Sequence, residues 1–315
     1  MSSISFANAI GSIPSPTISQ INIGPFGIHF YALFIIAGIF AAGTIGHFRL
    51  KQRGAVGLEV IDIALWAVPI GILGARLVHV LTHLNDYFGE GRDPLAAFRI
   101  WEGGLAIYGA LIFGALGAFV GARLSGVNFL AFADAIAPGL LIAQAIGRLG
   151  NYFNQELFGL PTDLPWGLEI SSPNDAIPIG LPEGTLFHPT FLYEIIWNLL
   201  AFGLLLLLEG RLKLRWGQTF GLYLALYSVG RFWIEGIRID PSEVFLGMRS
   251  NQWSAIAGIL VAAALIYWSR RTHPQAEESV FIPGREPIGE SADPEVYEAA
   301  SQPDTGDELD SKSSK

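Results

Sequence analysis

Apolar runs of about twenty residues recur seven times along this 315-residue chain, near 27–48, 60–83, 104–122, 130–147, 190–208, 218–237 and 250–269. Each is long enough to cross a hydrocarbon layer of about 30 Å as a helix rising about 1.5 Å per residue. A backbone amide without a partner in hydrocarbon costs several kcal/mol, so such runs must close their hydrogen bonds within the segment. The fold class that follows is all-α, a polytopic membrane protein with about seven transmembrane helices. Only 15% of residues are charged, against about 25% in a soluble domain. There is no cysteine, which excludes a thiol nucleophile, disulfides and thiolate metal sites on the chain itself.

The basic residues give an orientation. Arg49, Lys51 and Arg53 follow the first run, Arg123 the third, Arg211, Lys213 and Arg215 the fifth, and Arg270 and Arg271 the seventh. With alternating direction all nine fall on one side, which the positive-inside rule makes cytoplasmic. The N-terminus is then outside and the C-terminus inside. Three regions are expected: an outer-side segment 1–26, a transmembrane domain 27–271, and an acidic cytoplasmic tail 272–315. From Thr272 onward, eleven acidic and three basic residues account for eight of the nine net negative charges. Such a composition buries too little apolar surface to offset its ordering entropy, so the tail is expected to be disordered. The stretch 148–189, between the fourth and fifth runs, is rich in Pro, Gly and Asp. Its Phe153, Leu157, Phe158 and Trp166 predict a partly ordered outer-side arm. "GARL" at 74–77 and 121–124 reads as small-residue helix packing.

Several polar side chains stand where lipid should be. In "YSVGRFWIEGIR", Tyr227, Arg231, Glu235 and Arg238 are spaced four, four and three apart and share one helix face. An arginine at mid-span costs about 2.5–3.5 kcal/mol on insertion scales, so it needs a partner or a wet cavity. Arg231 and Glu235 serve either as a structural pair or as part of a site. "GARLVHVLTH" carries Arg76, His79 and His83 on adjacent turns; without a third ligand or an HExxH pattern no metal site is expected. Asp134 is either a helix-start residue or an inward partner for an arginine. Tyr31 suits an aromatic belt or a site, and Tyr108, among Gly103, Gly104 and Gly109, is a packed or a functional phenol. His188 and Pro189 open the fifth run, with Tyr193 and Glu194 in the next turn.

"GRLGNYFNQELFG", residues 147–159, concentrates Arg148, Asn151, Asn154, Gln155 and Glu156 at a membrane boundary. A guanidinium offers a permanently charged planar fork suited to phosphate, and amides can bond ester or hydroxyl oxygens. Arg76, Arg148, Arg231 and Arg238 exceed what pairing with Glu156 and Glu235 requires. The surplus implies a buried anion site toward the outer leaflet, where a phospholipid head group is the available anion. The Arg148 and Arg231 side chains are therefore expected to meet at one cavity open to lipid.

This stretch resembles the signature of the prolipoprotein diacylglyceryl transferases. "FGIHFYAL", "GARL", "IWEGGLAIYGA", "HPTFLYE" and "YSVGRFWIEGIR" match in the family's order over residues 24–270. The resemblance implies a bacterial inner-membrane enzyme with its site toward the outer leaflet. That enzyme transfers diacylglyceryl from phosphatidylglycerol to the lipobox cysteine of a prolipoprotein, releasing glycerol phosphate. It implies no cofactor and no nucleic-acid partner; its partners are the bilayer, the lipid and the lipobox peptide. Arg148, Arg231, Tyr108 and Glu156 become the catalytic candidates. Arg148, Asn151, Asn154, Tyr31, Arg76, His79, Tyr227, Glu235 and Arg238 become the substrate-binding ones. Some members carry histidine where this chain has Tyr108. A phenol with a reference pKa of about 10 is a poor general base, so either guanidinium charge favours the thiolate or the thiol proton passes to Glu156, Glu235 or His79. The alternative function is a secondary transporter of a small anion, which predicts inverted repeats that the sequence does not display.

Overall fold

A computed structural model describes residues 11–24, 26–275 and 277–286. A short hairpin, β1 (Gln20–Ile23) and β2 (Phe26–His29), feeds α1 (Phe30–Gln52). There follow α2 (Glu59–Thr82), the short α3 (Leu84–Phe88), α4 (Ile107–Leu124), α5 (Phe129–Phe153), α6 (Thr190–Leu212) and α7 (Gln218–Glu235). A two-residue hairpin, β3 (Val244–Phe245) with β4 (Met248–Arg249), leads into α8 (Ser250–Thr272). Among the described residues six helices are long and apolar enough to span a membrane: α1, α2, α4, α5, α6 and α8. The run expected at 218–237 folds as α7, whose Gln218, Thr219, Arg231 and Glu235 dilute its apolar character. Phe40, Leu65, Leu200 and Leu260 each leave 65% or more of their surface uncovered, as lipid-facing side chains do. This is an all-helical polytopic membrane protein.

Because lipid tails are as apolar as leucine, helices here associate by close backbone approach rather than by hydrophobic burial. Packing is tightest between α2 and α4 and between α1 and α5. A Cβ added at Gly117 would stand 2.6 Å from the Trp66 carbonyl oxygen, and one at Gly139 2.8 Å from that of Ala42. Gly74 and Gly121, the first residues of the two "GARL" stretches, both lie in the α2–α4 contact. Helix ends are tied in two polar layers. At one end Arg49 and Arg53 of the α1 terminus reach Glu209 of α6 at 2.6 and 2.7 Å. There Asp134 of α5, fully buried, accepts from the backbone amides of Gly217 and Phe220 at 2.9 and 2.8 Å. Asp134 thus caps the start of α7 across helices, where a carboxylate meets the positive end of the helix dipole. Among the described residues it forms no ion pair with an arginine.

Two expectations are revised. The arm between α5 and α6 is ordered around its own small core, with Phe158, Leu168 and Phe187 buried, and it joins the N-terminal segment through Ile13, which bridges Leu168. Residues 277–286, expected to belong to a disordered tail, instead form a strap. Val280 and Phe281 are buried against Val127, Ala131 and Phe132, the Val280 carbonyl accepts from Asn128 N at 2.8 Å, and Ile282 N donates to Gly126 O at 2.8 Å. The physical reason is local: "SVFI" is an apolar patch inside an acidic stretch, and average composition hides it. The remainder of the tail, 287–315, lies outside the described residues.

Candidate active site

The second polar layer gathers the ends of α5, α6, α7 and α8 around two carboxylates. Arg148, one turn from the end of α5, places Nε 2.6 Å from Glu194 Oε2, and its Nη1 donates to Asn151 Oδ1 at 3.1 Å. Arg231 of α7 lies 3.7 Å from the other oxygen of Glu194 and 2.9 Å from Glu235 Oε2. Glu194 therefore stands between the two guanidiniums. Glu235, fully buried, also accepts from Arg238 Nη1 at 3.2 Å, Arg249 Nε at 2.9 Å and Asn251 Nδ2 at 3.1 Å. Asp240 closes the layer: its carboxylate accepts from Arg238 Nε at 2.7 Å and lies 3.3 Å from Arg249 Nη2, which donates to the Asp240 carbonyl at 2.8 Å. A charge of this depth persists only when paired and hydrogen-bonded, and each arginine here has an acid.

The amide-rich stretch extends the network. Asn151 donates to Glu156 Oε1 at 2.6 Å and Asn154 to the same oxygen at 3.4 Å, so Glu156 pairs with amides and not with an arginine. Gln155 and Leu157 sit at positive φ, 50° and 59°, and the turn is pinned by Gln155, whose Oε1 accepts from Ser171 N at 2.7 Å. Tyr31 packs against Gly150, where a Cβ would stand 2.7 Å from the phenol ring. Tyr227 lines a cavity of about 10 Å³ together with Glu194, Trp197, Asn198 and Arg231. That is room for one water. Arg148 and Arg231, expected to meet, converge on Glu194.

Other residues singled out in the sequence fall elsewhere. Arg76 donates to the carbonyls of Ala96 (2.5 Å), Ala97 (2.8 Å), Gly103 (2.5 Å) and Gly104 (3.1 Å) and lies over the Tyr87 ring. It anchors the loop between α3 and α4 through these four hydrogen bonds. His79 stacks on His83 with ring centroids 4.3 Å apart. Tyr108 is 52% exposed, and its hydroxyl pairs with Ser254 at 2.8 Å. Ser254 is three residues along α8 from Asn251, so Tyr108 stands at the edge of the Glu235 network and bridges α4 to α8. His188 pairs with Tyr193 at 3.1 Å.

Sequence reasoning missed Glu194, Asp240, Arg249 and Asn251 as members of this layer. Glu194 carried a signal, an acid inside an apolar run, the same rule that singled out Arg231. With Glu194 and Asp240 counted, Arg148, Arg231, Arg238 and Arg249 each have an acid partner, four guanidiniums to three carboxylates, so the excess is smaller than the sequence suggested while Arg148 and Arg231 stay together.

A family model described as prolipoprotein diacylglyceryl transferase matches residues 18–268. The chain belongs to that family. A phosphatidylglycerol--prolipoprotein diacylglyceryl transferase of Leifsonia xyli subsp. xyli is 52% identical, over 92% of this chain and 90% of its own length. Proteins of the same printed name from Streptomyces coelicolor and Paenarthrobacter aurescens are 48% and 47% identical. The first covers 90% of this chain and 82% of itself, the second 91% and 93%. The quoted motifs, the two arginines and Glu194 all lie within the matched span.

Proposed function

We propose that the protein transfers the diacylglyceryl group of phosphatidylglycerol to the lipobox cysteine thiol of a prolipoprotein and releases glycerol phosphate. The family and the names of the relatives support this reading over an anion transporter. The observation that carries it onto the geometry is the single carboxylate, Glu194, held between Arg148 and Arg231. An anion already occupies the place where two guanidiniums converge, and a phosphate diester has the charge and oxygen geometry to take it over.

In the reaction a C–S bond forms at the glyceryl carbon as its C–O bond to phosphate breaks, and the electron pair leaves on the phosphate oxygen. Arg148 and Arg231 stabilise that developing charge. The substrate thiol, with a reference pKa of about 8.5, must ionise to attack. The leaving phosphate monoester, with a second pKa near 6, can carry the proton away, so no histidine is required at the position of Tyr108. Asn151 and Asn154, oriented by Glu156, bond the glycerol hydroxyls, and Tyr31 and Tyr227 flank the head group. Glu235, Arg238, Arg249 and Asp240 hold Arg231 in place. By the positive-inside rule the site faces the outer leaflet of the bacterial plasma membrane.

Purified protein incubated with phosphatidylglycerol and a lipobox peptide tests the proposal by mass spectrometry. A thioether-linked diacylglyceryl peptide together with free glycerol phosphate is expected. Its absence, with anion uptake into proteoliposomes instead, would overturn the reading in favour of transport.

A further inference from the structure

At the end of the molecule opposite this layer, a cleft lies between α1 and α6, both of which pack on α5. It encloses about 430 Å³ and is lined by Arg49, Gln52, Arg53, Leu206, Glu209, Gly210, Lys213 and Arg215. Four cations therefore face one acid of the lining, Glu209, with a second acid, Glu277 of the strap, beside Arg53. Glu209 takes up part of two of them, accepting from Arg49 Nη2 and Arg53 Nη2. Arg53 Nη1 is buried without a hydrogen-bond partner, 3.8 Å from Glu277 on the strap. The Lys213 side chain is exposed and enters no ion pair among the described residues, and Arg215 Nη1 donates to its neighbour's carbonyl, Leu214 O. Orientation in the membrane requires basic residues near the boundary; it does not require them to line a concavity with a buried donor left over.

We propose that this cleft binds the phosphate group of an anion, and specifically the head group of an anionic lipid. The volume is that of a small-molecule site, and basic pockets between helices at this depth suit lipid phosphates. Lipid is favoured over a soluble anion by what borders the cleft. Leu206, Leu207 and Leu204 of α6 are exposed one to two turns before Gly210, giving acyl chains an apolar track that ends at the cations. A head group seated there would join α1 and α6, which at this end are linked through Glu209.

The test uses the full chain in phosphatidylcholine nanodiscs titrated with phosphatidic acid, with bound lipid counted by native mass spectrometry. Lys213→Gln combined with Arg215→Gln removes two cations and leaves the Glu209 pairs intact. Gly210→Leu fills the cleft without changing charge; an added Cβ there meets nothing within 4 Å. Both variants should hold one fewer phosphatidic acid, bound about tenfold more weakly at that position, with the unfolding temperature in pure phosphatidylcholine unchanged and diacylglyceryl transfer from added phosphatidylglycerol unchanged. Equal retention by wild type and both variants would overturn the site. Displacement of phosphatidic acid by millimolar inorganic phosphate would overturn the lipid as its source and assign the cleft to a soluble phosphate.

Discussion

The Arg148 guanidinium divides its donors, Nε to Glu194 and Nη1 to Asn151, and a lysine ammonium, with all its donors on one nitrogen, does not reproduce that rigid spaced pair. Arg148→Lys should therefore fail almost as badly as Arg148→Ala, since charge without the planar fork is not equivalent. A loss of about 2–4 kcal/mol, roughly 30- to 1000-fold in rate, is expected for both, measured as lipidated peptide at matched membrane levels. Near-normal activity of the lysine variant would refute the bidentate role. Tyr108→Phe removes one hydrogen bond, to Ser254, worth about 0.5–1.5 kcal/mol, so its rate should fall no more than about tenfold. Abolished activity there would put the phenol in the chemistry. Reading the sequence found Arg148, Asn151, Arg231 and Glu235 because each is polar where lipid should be. It singled out Arg76 for the same reason, and the structure places that guanidinium on four backbone carbonyls, which nothing in "GARL" reveals.

Among the elements, the strap 277–286 is the one that pH should move. The Glu277 side chain is only 3% exposed, and burial pushes its carboxyl above the ordinary 4.5 against the pull of Arg53 and Arg215. A carboxyl whose pKa is raised by docking favours the docked state when protonated. That contribution is complete below about 4.5 and is lost as pH rises through the docked value. Hydrogen exchange at the Ile282 amide, which donates to Gly126 O, should show protection falling over that interval once intrinsic rates are removed. Glu277→Gln should flatten the profile, and an unchanged slope would exclude Glu277 as its origin. Helix contacts give a prediction of another kind. Gly139→Val would press its Cβ onto the Ala42 backbone and should cost about 1–3 kcal/mol as overpacking, read as a lower unfolding temperature in detergent.

For the whole molecule, the two polar layers and the strap define what can be removed. Ending the chain after Glu286 should leave stability and transfer activity intact, because the acidic stretch beyond it is poor in apolar residues. Ending it after Gln275 also removes Val280 and Phe281 from the core. Each fully buried side chain of that kind is worth about 1.5–3 kcal/mol, so the shorter protein should unfold at a clearly lower temperature. Equal unfolding temperatures for the two truncations would show that the strap contributes nothing.

The long apolar helices and their order were legible in the chain, though six and not seven of the expected runs are apolar enough to span, because hydrocarbon forces every spanning backbone to satisfy itself locally, and local rules can be read from local sequence. The same holds for the side chains that violate the apolar pattern, which is how Arg148 and Arg231 stood out. Which acid answers which arginine was decided by the tertiary structure. Glu194 lies 46 residues from Arg148 and 37 from Arg231 in sequence, and pairing follows the packing of α5, α6 and α7, which a single run of letters does not contain. Asp134 makes the same point at the other end: its partners are backbone amides of a helix more than eighty residues later. Charge in a low-dielectric interior must find a partner, but the distance at which it finds one is set by the fold.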